Sequence, residues 1–357
     1  MSRYASAHAE LLRFELDRPI GGSGVTAVDV VVVDLEDDRG NCGFGFSYGL
    51  GGAGEVMLAA GGNLLARFVR DKAVVHPFAL WRRLAASLNR VGRGASYLAV
   101  AAIDLAAWDM HARSLQVPLG IALGGEMRAV PVYGSAGFRP GVSDDEVLAR
   151  CRTYLEQGCR AVKLRLTGSA EDAVTLATMR AALPSNIDIM VDVNEKCDLV
   201  RAQWLATECE RYGVLWLEEP LPAHDIDGYR ALVGRTAVPV AGGEHLQGQV
   251  EFGPYIKDGM FAVAQPDLAM SGGMSECLRI AQLAEACNVS VSPHFLPSLF
   301  IHLAAVAPNI HWLEHFPLLE PMFEDLPDVE QGLQIPRDSV GHGMRLVSDA
   351  RRKYAVT

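Results

Sequence analysis

The sequence predicts an α/β fold, a (β/α)8 TIM-type barrel preceded by an α+β block. Three observations carry this. From Val130 to Leu313 eight short apolar runs alternate with amphipathic segments over about 190 residues, the rhythm of a closed barrel. The first 125 residues instead read as strands followed by helices. Carboxylates and other charged side chains stand at the C-terminal ends of consecutive predicted strands, the face on which such barrels build their sites.

In the N-terminal block, residues 1–125, Val28–Leu35 and Gly43–Tyr48 predict antiparallel strands around a turn at Asp37–Asn41. Four helical patterns follow, the clearest over Ser96–Ser114, where Leu98, Ala102, Leu105, Ala106 and Trp108 recur at helical spacing. Within 126–324, barrel strands are expected at Val130–Tyr133, Ala161–Leu164, Ile187–Val191, Leu215–Leu217, Val238–Ala241, Phe261–Ala264, Val289–Ser292 and Ile310–Leu313. Helices are expected at Asp144–Gln157, Ala170–Ala182, Leu199–Tyr212, Ile226–Arg235 and Met274–Cys287. A doubly wound sheet is the structural alternative. The stretch from about 325 to 357 holds no further β/α unit and is expected to return to the N-terminal block.

Half of the 357 residues are hydrophobic and 21% are charged, a globular composition. Lys and Arg number 32 against 43 Asp and Glu, a net charge of −11 that argues against a nucleic-acid partner. An acidic chain that takes an anionic substrate needs a local cation, such as a metal. No apolar run approaches the roughly 20 residues of a membrane span. Arg3, Glu10, Arg13, Glu15 and Asp17 leave no signal-peptide apolar stretch. Seven cysteines without C-x-x-C spacing fit reduced thiols and a cytoplasmic location.

Asp192, Glu218 and Glu244 each follow a predicted strand, at even steps of 26 positions. One β/α step moves to the neighbouring strand, so the three converge at one side of the barrel mouth. Three hard oxygen ligands suit Mg²⁺, which keeps further positions open for water or substrate. Taken singly, each is equally well read as a cap for the next helix. The following strand ends carry Asp267, His294 and Glu314. An Asp and a His on adjacent strands form a dyad in which the carboxylate fixes the imidazole tautomer and raises its basicity. Lys163 and Arg165, two apart on a strand, share the face opposite Val162 and Leu164, which puts both cations inside the barrel. Their plainer reading is neutralisation of the acidic ring.

Seven ordered motifs, Val162-Lys-Leu-Arg165, Val191-Asp-Val-Asn194, Trp216-Leu-Glu-Glu-Pro220, Gly242-Gly-Glu-His245, Gln265-Pro-Asp267, Ser292-Pro-His294 and Trp312-Leu-Glu314, resemble the enolase superfamily in its mandelate racemase/muconate lactonizing enzyme branch. Ile103-Asp-Leu-Ala-Ala-Trp-Asp109 resembles a helix of that family's capping domain. The resemblance implies an α+β capping domain, completed by the C-terminal segment, over a modified (β/α)8 barrel. It implies Mg²⁺ on Asp192, Glu218 and Glu244, with Glu219 behind them, and a homo-oligomer. It also implies removal of the proton α to a carboxylate through an enediolate, with Lys163 and a protonated Glu314 stabilising the developing charge. Asn194 and Ser135 resemble substrate-contacting positions; ordinary turn chemistry is the plainer reading of both.

One departure selects among reactions. The racemase has a second lysine as its second base, where this chain has Arg165. A guanidinium is effectively always protonated and is a poor base. One-base chemistry is therefore favoured: His294 takes the α-proton and then protonates a departing β-hydroxyl, the syn dehydration of a sugar acid to a 2-keto-3-deoxy acid. Arg165 then suits binding of a substrate carboxylate or hydroxyl. Racemase, epimerase or cycloisomerase action on the same site is the alternative, and an inactive metal-binding scaffold the non-enzyme one. The glycine-rich stretches Gly21–Gly24 and Gly49–Gly54 are candidate lid hinges, or simply turns.

Overall fold

The computed structural model describes residues 2–20 and 24–356. It opens with a three-stranded antiparallel sheet in which β1 (Tyr4–Glu15), β2 (Ala27–Asp37) and β3 (Cys42–Leu50) pair in sequence order. Buried Val28 and Val30–Val33 give β2 the β-branched surface a pleated sheet favours. Asp37 closes the predicted turn by accepting the Arg39 and Asn41 amides, each at 2.9 Å.

Four helices follow: α1 (Gly54–Phe68), α2 (Pro77–Ser87), α3 (Gly94–Ser114) and α4 (Leu119–Ala122). α3 carries the predicted pattern, yet every residue from Tyr97 to Met110 is buried, because it lies between the sheet and the barrel. A Cβ on Gly45 of β3 would stand 2.3 Å from Ala102 O and Ala106 N, so only glycine permits this approach. On the barrel side, Trp108 Nε1 donates to Ser275 Oγ at 2.9 Å. The Ser275 amide and hydroxyl in turn donate to Asp104 at 2.8 and 2.6 Å. These bonds lock the N-terminal block to the barrel.

The barrel has eight parallel strands: β4 (Val130–Gly134), β5 (Ala161–Arg165), β6 (Asp188–Asp192), β7 (Leu217–Glu218), β8 (Val240–Gly242), β9 (Val263–Ala264), β10 (Ser290–Val291) and β11 (Leu313–His315). Neighbours pair in order from β4 to β10; β11 pairs with β4, and a parallel bridge between Val291 and Ile310 closes the ring. The intervening helices are α5 (Asp144–Glu156), α6 (Glu171–Ala182), α7 (Leu199–Arg211), α8 (Ile226–Val233), α9 (Gln249–Lys257), α10 (Leu268–Ser271), α11 (Met274–Ala286) and α12 (Pro297–Ala304). Val162, Leu164, Ile189, Val191 and Leu217 join the core shared with the helices. Tyr133, Ala161, Met190, Trp216 and Ala241 form a separate cluster inside the ring, with the Tyr133 and Trp216 rings edge-on at 5.4 Å. That inner layer is the floor of the site.

The C-terminal stretch divides. Leu333–Gln334 of a hairpin pairs antiparallel with β4, extending the barrel sheet. Beyond it the chain returns to the N-terminal sheet: the Arg13 amide donates to Tyr354 O at 2.7 Å, and Arg351 meets Glu10 and Asp34 at 2.6 and 2.7 Å. Among the described residues no helix is long and apolar enough to cross a membrane.

Candidate active site

The strand register builds the acidic centre. Arg165 pairs laterally with Asp192, and Asp192 with Glu218, so these side chains stand side by side at the ends of β5, β6 and β7. Glu244 follows β8 through Gly243, whose φ of 124° and a Cβ position 2.4 Å from the Phe252 ring both require glycine. One carboxylate oxygen from each of Asp192, Glu218 and Glu244 lies within 4.8 Å of the others. Past these residues the backbone turns left-handed at Asn194, Glu195 and Glu219, and again past His294 at Phe295 and Leu296. Such conformations cost roughly 1–3 kcal/mol each and persist where surrounding bonds hold them. Here the Asn194 amide donates to Asp192 Oδ1 at 2.8 Å, and the Phe295 amide to Glu314 Oε2 at 2.9 Å.

Lys163 is fully buried, with its Nζ 2.5 Å from Glu218 Oε1, 2.8 Å from Glu314 Oε1 and 3.4 Å from Asp192 Oδ2. Burial opposes its charge, but these carboxylates hold its pKa well above the usual lysine value, so it is a fixed cation. Arg165 donates to Asp192 and, at 2.6 Å, to Asn194 Oδ1. The two residues expected at the substrate are thus bonded to each other and to the acidic centre. Ser135, likewise expected there, is buried and donates to Glu314 Oε1 at 2.6 Å. For Glu314, which the resemblance implies acts protonated, burial raises the pKa, but the neighbouring Lys163, His294 and Arg165 charges outweigh burial and hold the carboxyl below its usual range.

His294 Nδ1 lies 2.8 Å from Asp267 Oδ2, the expected dyad, and its Nε2 faces Glu244 Oε2 at 3.5 Å. Burial disfavours the imidazolium, but Glu244, Asp267 and Glu314 push its pKa up to about 10. The dyad lines a cavity of about 270 Å³ between the barrel mouth and the N-terminal block, which contributes Tyr48, Gly49, Leu50, Gly52, Ala53 and Leu98. The second glycine-rich stretch is therefore a wall of this cavity. Of the first, Gly21–Ser23 lie outside the described residues.

Several residues at the centre escaped sequence reasoning. Trp216 Nε1 and Gln265 Nε2 donate to Glu218 Oε2 at 3.1 and 2.8 Å. Trp216 directly precedes β7 and Gln265 directly follows β9, both inside quoted motifs, which was the available signal. His245 Nδ1 lies 3.0 Å from Glu219 Oε1 and 3.5 Å from Glu195 Oε1, which push the imidazole up to about 12 and tie together the loops after β6, β7 and β8. Tyr48 donates to Asp267 across 219 positions, a contact that no local pattern announces.

The residues present fit a magnesium ion. Asp192, Glu218 and Glu244 are clustered hard oxygen donors, of which Glu244 also lines the cavity, and Glu244 Oε2 is buried with no hydrogen-bond partner among the described residues. The family profile "Mandelate racemase / muconate lactonizing enzyme, N-terminal domain" matches residues 17–124, and "Enolase C-terminal domain-like" matches residues 146–350. The chain belongs to the mandelate racemase/muconate lactonizing enzyme family. Among its relatives, the L-talarate/galactarate dehydratase of Salmonella typhimurium is 32% identical over 93% of this chain and 84% of its own. The 3,6-anhydro-α-L-galactonate cycloisomerase of Streptomyces coelicolor is 26% identical over 98% of this chain and 94% of its own. Among solved family structures, the L-talarate dehydratase of Polaromonas sp. JS666, complexed with Mg and L-glucarate, superposes with a TM-score of 0.92. It shares 28% identity over all of this chain and 98% of its own.

Proposed function

We propose that this enzyme is a magnesium-dependent hydro-lyase that dehydrates a sugar acid to a 2-keto-3-deoxy acid, with His294 as its one base. The observation that carries the reading is the asymmetry of the site: one imidazole, oriented by Asp267, against two cations held permanently charged. Asp192, Glu218 and Glu244 would hold a magnesium ion, which would supply positive charge to acidify the proton α to the substrate carboxylate; His294 Nε2, on the ring that Asp267 orients, accepts that proton. The C–H electron pair passes first onto the substrate carboxylate as an enediolate and then forms the Cα–Cβ double bond as the β-hydroxyl leaves, taking its proton from the His294 imidazolium and departing as water. The enol then tautomerises to the keto acid. Lys163 stabilises the charge that develops on the substrate carboxylate and cannot serve as base while Glu218 and Glu314 grip it. Arg165 holds Asp192 in place and offers no proton acceptor on the opposite face.

The dehydratases among the relatives support this reading, and the retained dyad and cations favour it over an inactive scaffold. The cycloisomerase relative supports a second use of the same α-proton abstraction. The seven unpaired cysteines are in keeping with a cytoplasmic location, and the family resemblance with a homo-oligomer. The test is a panel of stereoisomeric aldonic and aldaric acids, with 3,6-anhydrogalactonate, incubated with Mg²⁺ and read with semicarbazide. A keto acid from an aldonate or aldarate is the expected result. Isomerised substrate without keto product overturns the one-base assignment.

A further inference from the structure

We propose that Tyr48, delivered from the N-terminal sheet, is a positioning residue for the base: its hydroxyl fixes the Asp267 carboxylate that orients His294. This rests on His294 being the base. Tyr48 is buried on β3, and its hydroxyl donates to Asp267 Oδ2, the oxygen that also faces His294 Nδ1 at 2.8 Å. The other oxygen, Oδ1, accepts the Met270 amide at 2.8 Å. Asp267 is therefore fixed at one oxygen by the start of α10 and at the other by a side chain from the N-terminal block. The Tyr48 ring also packs edge-on against Phe295, the residue after His294, at 5.0 Å. One side chain thus touches the aspartate through its hydroxyl and the histidine's neighbour through its ring. Burial and the Asp267 charge push the phenol well above its usual pKa, so it remains a donor. Tyr48 lines the cavity, but its proton is committed to Asp267. The consequence is that the barrel's dyad is fully aligned only when the N-terminal block sits against the mouth.

The test is Tyr48→Phe, which keeps the ring and removes only the hydroxyl, alone and combined with Asp267→Asn. It is assayed on the acid sugar that the panel identifies as turned over fastest. Loss of a hydrogen bond to a charged group predicts that kcat falls by about tenfold while KM stays within about twofold. In the Asp267→Asn background the same change adds no further loss, because its effect passes through that carboxylate. Wild-type kcat in Tyr48→Phe, a raised KM at constant kcat, or a full tenfold loss on top of Asp267→Asn overturns the proposal. His294→Asn run alongside separates the two readings: activity retained there refutes His294 as base, whatever Tyr48 does. Should no panel acid react, the crystal structure of Tyr48→Phe decides. An Asp267 carboxylate rotated away from His294 supports the role, and one unmoved overturns it.

Discussion

Replacing Lys163 by Met tests whether this buried cation holds the acidic centre together. Methionine keeps the length and apolar stem but removes a charge that stands within 3.4 Å of Glu218, Glu314 and Asp192. Removing one partner of a buried ionic network typically costs about 3–5 kcal/mol. An independent bound comes from proton uptake. The variant can relieve itself by protonating Glu314, whose ordinary pKa is 4.5. At about 1.36 kcal/mol per pH unit, that relief costs about 3.4 kcal/mol at pH 7 and about 2 kcal/mol at pH 6. In the wild type Lys163 helps to lower the Glu314 pKa; with Lys163 gone, burial is expected to raise it, so the variant loses stability as pH rises above 4.5 and regains it as pH falls towards that value. Urea denaturation of metal-free wild type and variant at pH 6 and 7 measures both values. The expected result is a destabilisation near 3 kcal/mol at pH 7 that shrinks at pH 6. A variant as stable as wild type at pH 7 refutes the claim that Lys163 neutralises these carboxylates.

Two further outcomes concern the metal. Glu218→Gln keeps the side-chain shape and leaves Lys163 its contacts with Glu314 and Asp192. Calorimetry should show Mg²⁺ affinity falling by more than the roughly 10–100-fold typical of outer-shell changes, with an unchanged far-ultraviolet dichroism spectrum. Burial pushes Glu218 up to about 8, with Lys163 pulling it down and Asp192, Glu314 and Glu244 pushing the same way as burial. Below that pH a proton occupies a ligand the metal needs, so Mg²⁺ affinity should rise between pH 6 and 8, by up to about tenfold per unit. A flat affinity over that range contradicts the role of Glu218.

All eight barrel strands were readable because strands covered by helices on one side and a packed interior on the other are unbroken apolar runs. Their charged terminators then stood out, which made Asp192, Glu218, Glu244, Asp267, His294 and Glu314 visible. β1 escaped because its Ser6, Ala7, His8 and Ala9 carry little β-branched or aromatic bulk. α12 escaped for the opposite reason: Pro297–Ala304 is buried throughout and shows no polar face to set a period. α9 holds Gly253 and Pro254, which read as a break. The roles of Asn194 and Ser135 were unreadable, since a motif gives position along the strand and not the neighbour that captures the side chain. Tyr48 illustrates the larger limit. Its partner lies on another domain-sized unit, and only the docking of α3 and β3 onto the barrel brings the two together.

The measurement closest to the central claim is exchange of the substrate α-proton in D₂O, followed by proton NMR with the reactive acid of the panel. Wild-type enzyme should wash the α-proton out, or deliver dehydrated product, with Mg²⁺ and not with EDTA. His294→Asn with Mg²⁺ should do neither, by at least about a hundredfold, as befits loss of the single acid–base group. Exchange by His294→Asn at the wild-type rate, or by the wild type without metal, contradicts the account.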